Sequence, residues 1–401
     1  MTAQTTALRK HIHILAATTL LSAATFAGAS AQEVEAAAER LQTYVADQGF
    51  KIEWDGIDLD TDGSSGILVG VRAGNDEAMV PVGNIRLAGV TRDDKGYRVE
   101  RITLADFSGA DDEEEVRFAA EGIELGNVLL PDEDKRDNYG GFLFYETFAL
   151  DRMALTIAGT DVFTMGDMHF EVTEPDGDTP MDFSGAAESF TVDLSLMEDE
   201  NQLAVMEALG LKQMKGYMEV EGSWNPNDGR LAFSQYDMTV VEAGTLGFTF
   251  DLGGYTPSLI ASLRELQKQM AENPDSDNSA QGLAILGLLQ QMTFHSAEIS
   301  FADDTLTNKV LDFVAKNQGM RAADIANQAK AVVPFALAQL NNPELTAQAS
   351  QAVSTFLDDP QSLTVSARPA QPVPFALLMA TAMTTPVELT KSLGVTVTAN
   401  D

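Results

Sequence analysis

Three alternating aspartates followed by a glycine form the pattern in this chain that most resembles a metal-binding motif. Asp58, Asp60 and Asp62 precede Gly63, which matches the first half of a calcium loop of the form D-x-D-x-D-G. Carboxylates in this spacing wrap a hard cation with oxygen ligands. Position 12 of an EF-hand loop would be Glu, but here it is Val69. Calcium is therefore the one candidate cofactor, and the open alternative is a strand that ends in an Asp-Gly turn.

Acid–base chemistry has few histidines available. Four His are present; His169 alternates with apolar neighbours and should face solvent, whereas His295 is in phase with Ala297 and Ile299 and should lie at the mouth of an apolar face. A general base needs a positioned partner, which the sequence does not show. The chain has no H-E-x-x-H, G-x-S-x-G, P-loop or G-x-G-x-x-G motif. A carboxylate pair of the glycosidase type stays open among the 61 acids, but we expect no enzyme.

Composition narrows the range of partners. The chain has 25 Lys and Arg against 61 Asp and Glu, for a formal net charge of −36, and it has no Cys. Phosphate binding needs clustered basic residues, so a nucleic-acid partner is excluded. Without Cys, disulfides, thiolate nucleophiles and Cys-ligated metals are excluded as well.

Phenylalanine and methionine carry the strongest signal for binding. The chain has 20 Phe and 16 Met, and many fall on the apolar phase of alternating segments or in the C-terminal helices. Met suits adaptable apolar surfaces. Such stripes are commonly core, and the alternative is a sheet face that holds a lipid. The candidate ligand-binding residues are Met218, Trp224, Phe248, Phe250, Leu286 and Leu289.

Hydrophobic periodicity defines the elements that must position these residues. Residues 33–48 have helical spacing, and from Phe50 the period changes to two. About nine to eleven amphipathic strands follow up to Gly253, joined as antiparallel hairpins. Two strands change phase midway, after Val99 and after Phe233, which predicts β-bulges and a strongly curved sheet.

The C-terminal third is mainly helical. Residues 256–272, 304–317, 321–340 and 343–357 are predicted helices, and a very apolar short helix is expected around Leu283 to Met292. The fold class is therefore α+β: a large curved antiparallel β-sheet with a mainly helical C-terminal region packing on it. We expect a helix and sheet region over 32–255 and a helical region that adds further strands over 256–401.

The N-terminus has the layout of a secretory signal peptide. Arg9 and Lys10 precede an apolar stretch, and Ala29-Ser30-Ala31 is a small-x-small cleavage site. Cleavage of residues 1–31 predicts a periplasmic protein, and no later segment reaches membrane-spanning length. The mature chain would have no membrane span.

The pattern of elements resembles that of AsmA-like envelope proteins with a lipid groove, and similar uncharacterised exported proteins of alphaproteobacteria. The resemblance rests on the signal peptide, the successive amphipathic strands, the stretch Gly244 to Phe250 and the closing segment Leu393 to Asn400. It implies a groove for a lipid and supplies no catalytic residue. It departs from that group in the helical C-terminal third.

Three hypotheses follow. The first is a non-enzymatic periplasmic protein that binds an apolar ligand, such as a lipid, or an envelope partner. The second is a structural or scaffolding envelope protein whose apolar face is simply core. The third is a hydrolase that uses carboxylates. The oligomeric state is left open.

Overall fold

The protein is described by a computed structural model over residues 29–401, apart from Asp62, 76–77, 112–114 and 273–277. Nearly all of the predicted signal peptide, residues 1–28, lies outside the described residues. The chain divides into two compact units. Unit 1 comprises the residues up to Glu174 together with Gly185–Asp193, and unit 2 comprises Pro175–Ser184 and Leu194–Asp401.

Unit 1 is a helix followed by a meander of antiparallel strands. Its elements are α1 (Ala29–Asp47), β1 (Lys51–Glu53), β2 (Gly56–Leu59), β3 (Gly66–Gly74), β4 (Met79–Arg92), β5 (Gly96–Leu104), β6 (Phe107–Asp111), β7 (Val116–Glu121), β8 (Glu124–Pro131), β9 (Thr147–Ile157), β10 (Thr160–Val172) and most of β11 (Met181–Asp193). Strands β1 and β2 both pair with β3, β6 pairs with β7, and β9 pairs with β7, β8 and β10.

Unit 2 continues with a second antiparallel meander and carries most of the helices. Its elements are α2 (Glu200–Ala208), β12 (Gln213–Asn225), β13 (Arg230–Val240), β14 (Gly244–Gly253), α3 (Pro257–Glu272), α4 (Asn278–Leu289), β15 (Thr293–Asp303), α5 (Leu306–Gln318), α6 (Ala322–Leu337), α7 (Pro343–Asp358), β16 (Ser362–Ala367), β17 (Val373–Pro374), α8 (Phe375–Thr384), α9 (Leu389–Ser392) and β18 (Val395–Ala399). Short 3-10 helices lie at Arg136–Tyr139, Ala338–Leu340 and Pro386–Glu388.

The predicted fold class is confirmed, because the sheet strands pair antiparallel and the helices are mostly C-terminal. The division into units differs from the expected change at residue 256. Strands β12, β13 and β14 lead directly into β15 and β16 through an unbroken succession of paired strands. The hydrogen-bonded ladder therefore joins the C-terminal region to the strands before it, across the point where the composition changes.

Helix α1 covers the apolar face of unit 1. The predicted helical face is confirmed: Val34, Ala37, Ala38 and Leu41 are completely buried. They belong to one core cluster with residues of β3, β4, β5 and β8. Burial of large aliphatic side chains contributes about 1.5–3 kcal/mol each, so tertiary packing stabilises this helix more than its own propensity does.

The phase change in β5 involves its neighbouring strands as well. Val99 and Ile102 are both buried, as predicted, but the pairing of β5 with β4 and β8 keeps one register through this point. Gly89 and Asn127 lie opposite Glu100, with φ of 65° and 51°. The interpretation as a bulge in β5 alone was wrong, since three adjacent strands change face together. Glycine suits position 89, because residues with a Cβ rarely adopt this positive φ and the Cβ would lie 2.8 Å from that of Glu100.

The bulge predicted after Phe233 is confirmed. Gly222 pairs with Phe233 while Glu221 pairs with Gln235, so Ser234 is the extra residue. The insertion moves Tyr236 onto the face that carries Phe233. A single apolar face therefore runs along the full length of β13.

Candidate functional site

The sheet of unit 2 has one polar and one apolar face. Directly paired residues of antiparallel strands share a face, so the register assigns each side chain. Ser and Thr line one face, where Thr239 bonds Thr245 at 2.7 Å and Ser366 bonds Thr396 at 2.8 Å. We call the opposite side the apolar face, and its larger side chains are Met218, Val220, Trp224, Leu231, Phe233, Tyr236, Met238, Leu246, Phe248, Phe250, Leu252, Phe294, Ile299, Phe301, Leu363, Val365 and Val397.

The centre of the apolar face is open to solvent. Phe248 pairs with Ile299, and Ile299 pairs with Val365, so the three form a row across β14, β15 and β16. Their exposed fractions are 38%, 54% and 43%, and that of the neighbouring Leu246 is 46%. We call the first three residues the central row. A contiguous exposed apolar patch on a protein surface marks a binding site more often than an isolated exposed side chain does.

Other side chains cover the margins of the apolar face. The ring of Phe356 on α7 meets Phe301 edge-on, with 6.5 Å between the centroids. At another margin Trp224 is buried, and its Nε1 donates to the Tyr255 carbonyl at 2.8 Å. The exposed part is thus bounded by packed aromatic residues.

A chain of aromatic rings fixes the shape beside the central row. Phe183 lies edge-on to Phe233 at 5.1 Å, and Phe233 stacks on Phe250 at 4.7 Å. Phe250 contacts Phe248 at 5.5 Å. Offset and edge-on pairs of this kind contribute about 0.5–1.5 kcal/mol beyond their buried area. The wall beside the central row is therefore held in place before any ligand binds.

The structure brings four of the six candidate ligand-binding residues onto the apolar face. Phe248 and Phe250 lie at its centre, Met218 is on β12, and Trp224 is buried at the margin. The other two, Leu286 and Leu289, lie on α4, and α4 contacts α3 and α8.

Ile299 and Val365 are not among the candidate residues that periodicity indicates, although both are more exposed than Phe248. Ile299 is in phase with Ala297 and Phe301. Val365 is in phase with Leu363 and Ala367. Phase assigns a side chain to a face within its own strand only. The register between strands, which places these residues beside Phe248, was the missing information.

The apolar face of unit 1 provides a contrast within the same chain. Leu68, Ile85, Leu87 and Ile102 on its strands are completely buried beneath α1. The question that the sequence left open, whether apolar strand faces are sealed, therefore has two answers. The part of the face in unit 1 that lies beneath α1 is sealed, and the centre of the face in unit 2 is open.

Neither described histidine has the geometry of a catalyst. His169 is exposed, as predicted. Asp251 pairs with Ser296 and Leu252 pairs with Phe294, so His295 is the extra residue of a bulge in β15. This bulge brings the imidazole Nε2 to 3.3 Å from the hydroxyl of Thr293.

The aspartate motif forms a strand and a turn in the described residues. Asp58 is exposed on β2, Asp60 forms an ion pair with Arg86, and Asp62 lies outside the described residues. No group of three His, Asp or Glu side chains placed to hold a metal occurs among the residues that the structure describes. The two interpretations of the motif, a calcium loop and a strand that ends in a turn, stay open.

We expect chelation to leave the thermal midpoint of the protein unchanged, because Arg86 already compensates the charge of Asp60. The measurement is a thermal melt with excess EDTA and then with excess calcium. A midpoint that rises with calcium, and fails to rise in Asp58→Asn, would instead establish the site.

Four charged side chains of unit 1 form an ion network, in which Arg98 and Glu174 are the least exposed, at 19% and 18%. Glu174 accepts from Lys95 at 2.6 Å, from Arg98 at 2.7 Å and from the Tyr139 hydroxyl at 3.0 Å. Arg98 also donates to Asp93 at 2.8 Å. Burial alone would raise the pKa of Glu174 and Asp93, but these hydrogen bonds outweigh it and lower both. Both carboxylates of the network therefore favour the ionised state, which suits a structural role more than proton transfer.

Replacing Glu174 by Gln should destabilise unit 1 by roughly 1–3 kcal/mol at neutral pH, since partly buried cations lose their partner. The pKa of Glu174 is lowered in the folded protein. Its carboxylate therefore stabilises the folded state fully above the unfolded pKa of about 4.3, and this stabilisation is lost as the pH falls through the folded pKa. Urea denaturation at pH 7 and pH 4 should show the difference from wild type shrinking in acid. The exposed pair of Glu298 and Arg368 provides the control, and Glu298→Gln should cost under about 1 kcal/mol.

Comparison with known families gives one match, which covers part of unit 2. A family model described as "Uncharacterized protein" matches residues 237–400. The matched segment contains Phe248, Ile299 and Val365, together with α3 to α9. No curated protein matches the chain. Among the described helices, none combines the length and apolar character needed to cross a membrane.

Proposed function

We propose that this protein binds the acyl portion of a lipid along the central row of unit 2, as a non-enzymatic protein of the periplasm. The observation that carries the proposal is the exposure of Phe248, Ile299 and Val365 at the centre of an otherwise packed apolar face. Exposed apolar surface is costly in water at about 25 cal/mol per Å². A ligand that covers it would recover this free energy.

The chemistry of the face favours a hydrocarbon chain over a polar ligand. The central row and its flanking residues Leu246 and Phe250 offer no side-chain hydrogen-bond donor or acceptor. The hydroxyl of Tyr236, which is 39% exposed, is a polar group on the same face. Sites for polar small molecules place a few convergent polar groups among apolar ones. The Ser and Thr side chains of this sheet project from the opposite face.

Three acids of the described residues are poorly suited to donate a proton in a hydrolysis. A carboxylic acid that donates a proton near neutral pH has its pKa raised by an apolar setting. Asp93, Glu174 and Asp324 instead have pKa values lowered by hydrogen bonds from Arg or Lys. Export is supported by the basic residues, apolar stretch and small-x-small site within residues 1–31.

Native mass spectrometry of the gently purified protein tests the proposal. We expect an adduct of lipid mass that disappears after extraction with organic solvent, and a stripped protein that takes up a fluorescent fatty acid. A protein that carries no lipid and takes up no fatty acid after stripping would contradict the proposed function.

A further inference from the structure

Several helices of unit 2 have exposed apolar side chains, and on α6 Val332 and Phe335 are 59% and 79% exposed. Helices α4 and α8 are the two that lie beside the end of the apolar face. Leu283 on α4 is 69% exposed, and Leu377 and Met383 on α8 are 56% and 84% exposed. Helices that are apolar on all sides are ordinarily buried in a core or a membrane. Helices α4 and α8 contact each other. We call these three exposed side chains the α4–α8 patch.

The charge distribution limits which kinds of surface can cover this patch. Residues 278–297 and 369–387 contain no Asp, Glu, Lys or Arg, in a chain of net charge −36. A second copy would bring the same large negative charge, and an anionic bilayer would be repelled by the field of the protein. A cationic protein would find no carboxylate in these two segments to pair with. A surface without net charge that offers apolar groups fits, and a zwitterionic bilayer has this character, because its headgroups carry no net charge and its acyl region lies just beneath them.

The patch adjoins one end of the apolar face. Helix α4 ends at Leu289, shortly before β15 begins, and β17 pairs with the start of β15 at Thr293 and Phe294 before leading into α8. The Phe375 amide donates to the Met292 carbonyl at 3.0 Å, which fixes the start of α8. Phe294 pairs with Leu252 of the apolar face. Both uncharged helices are therefore anchored where that face ends.

We propose that the α4–α8 patch docks on the surface of a zwitterionic bilayer, and that this docking site is where a lipid passes between the bilayer and the apolar face. The second part rests on the proposed function. The docking itself rests only on the patch, its lack of charge and its position.

Co-sedimentation with phosphatidylcholine vesicles tests the docking. The exported protein should bind these vesicles, and added salt should not weaken binding, because no ion pair is involved. Leu283→Asp and Met383→Asp should each weaken partition by about tenfold or more, since an apolar group in the interface becomes a charge. All variants share one N-terminus, so any contribution from residues 1–31 cancels.

The matched control is Val241→Asp. Val241 is also strongly exposed, at 57%. Its substitution by Asp introduces the same charge in the same unit. Val241 lies in the turn between β13 and β14, near the first residue of β14. The α4–α8 patch is anchored at the opposite end of β14, where Gly253 pairs with Thr293. This variant should bind vesicles like wild type, and thermal melts should show all three variants folded.

Four results would overturn the docking proposal: no binding by the wild-type protein, equal losses in Val241→Asp and Met383→Asp, binding that requires anionic lipid, or a dimer that Met383→Asp dissociates. The two proposals remain distinguishable. Vesicle binding by a protein that never carries lipid would remove the proposed function and leave the docking. Lipid carried by a protein that ignores vesicles would remove only the docking.

Discussion

Replacing Val365 by Asp should abolish the lipid adduct and weaken fatty-acid uptake by about tenfold or more. Val365 ends the central row and is 43% exposed, so the substitution leaves the core intact. An acyl chain along Phe248 and Ile299 would then have to desolvate a carboxylate, which costs several kcal/mol. Native mass spectrometry gives the adduct, and titration of the stripped protein with a fluorescent fatty acid gives the affinity.

The control for this prediction makes the same chemical change elsewhere. Val241→Asp also converts an exposed valine of unit 2 to aspartate, but in a turn away from the central row. It should keep the adduct and the affinity of wild type. Equal losses in the two variants would show that the added negative charge, rather than the place of the substitution, governs binding. The central row would then lose its role.

The faces of single elements could be predicted from the sequence because they depend on local periodicity. The buried face of α1 follows from apolar residues at helical spacing, and the bulge at Ser234 follows from the change of phase between Phe233 and Tyr236. Both effects act within one element. The helical C-terminal region was predicted for the same reason, since α5, α6 and α7 begin within a few residues of the expected positions.

What depends on contacts between elements could not be predicted in this way. The sequence gives no register, so Ile299 and Val365 were not placed beside Phe248. It also does not show which helix covers which strands. We expected the mainly helical C-terminal region to pack on the sheet. Helix α7 contacts the sheet where Phe356 meets Phe301, but α1 covers the strands of unit 1.

The repeated segment shows the same limit. Val333 to Leu337 and Val373 to Leu377 have identical sequences, but the first ends α6 with Pro334 inside the helix, and in the second Pro374 precedes the first turn of α8. Proline is tolerated at a helix start because its missing N–H has no partner there in any case. Flanking residues therefore decide the structure of this segment, and the repeat is not a structural duplication.

Substituting leucine by alanine in the two units should separate the sealed face from the open one. Leu41 is completely buried in the core beneath α1, so Leu41→Ala should destabilise unit 1 by about 2–5 kcal/mol through lost burial and the cavity left behind. Leu246 on the apolar face of unit 2 is 46% exposed. Leu246→Ala should cost unit 2 under about 1 kcal/mol, because water already reaches the site.

The two tryptophans of the chain make this comparison measurable unit by unit. Trp54 packs against the core of unit 1, and Trp224 is buried in unit 2. Urea denaturation followed by fluorescence in a Trp224→Phe background therefore reports the unfolding of unit 1, and a Trp54→Phe background reports unit 2. Similar losses for Leu41→Ala and Leu246→Ala would mean that the apolar face of unit 2 is covered in solution, and the open site on which the proposed function depends would not exist. A large loss in unit 1 beside a small one in unit 2 requires that α1 seals its own sheet face while the central row stays accessible to a ligand.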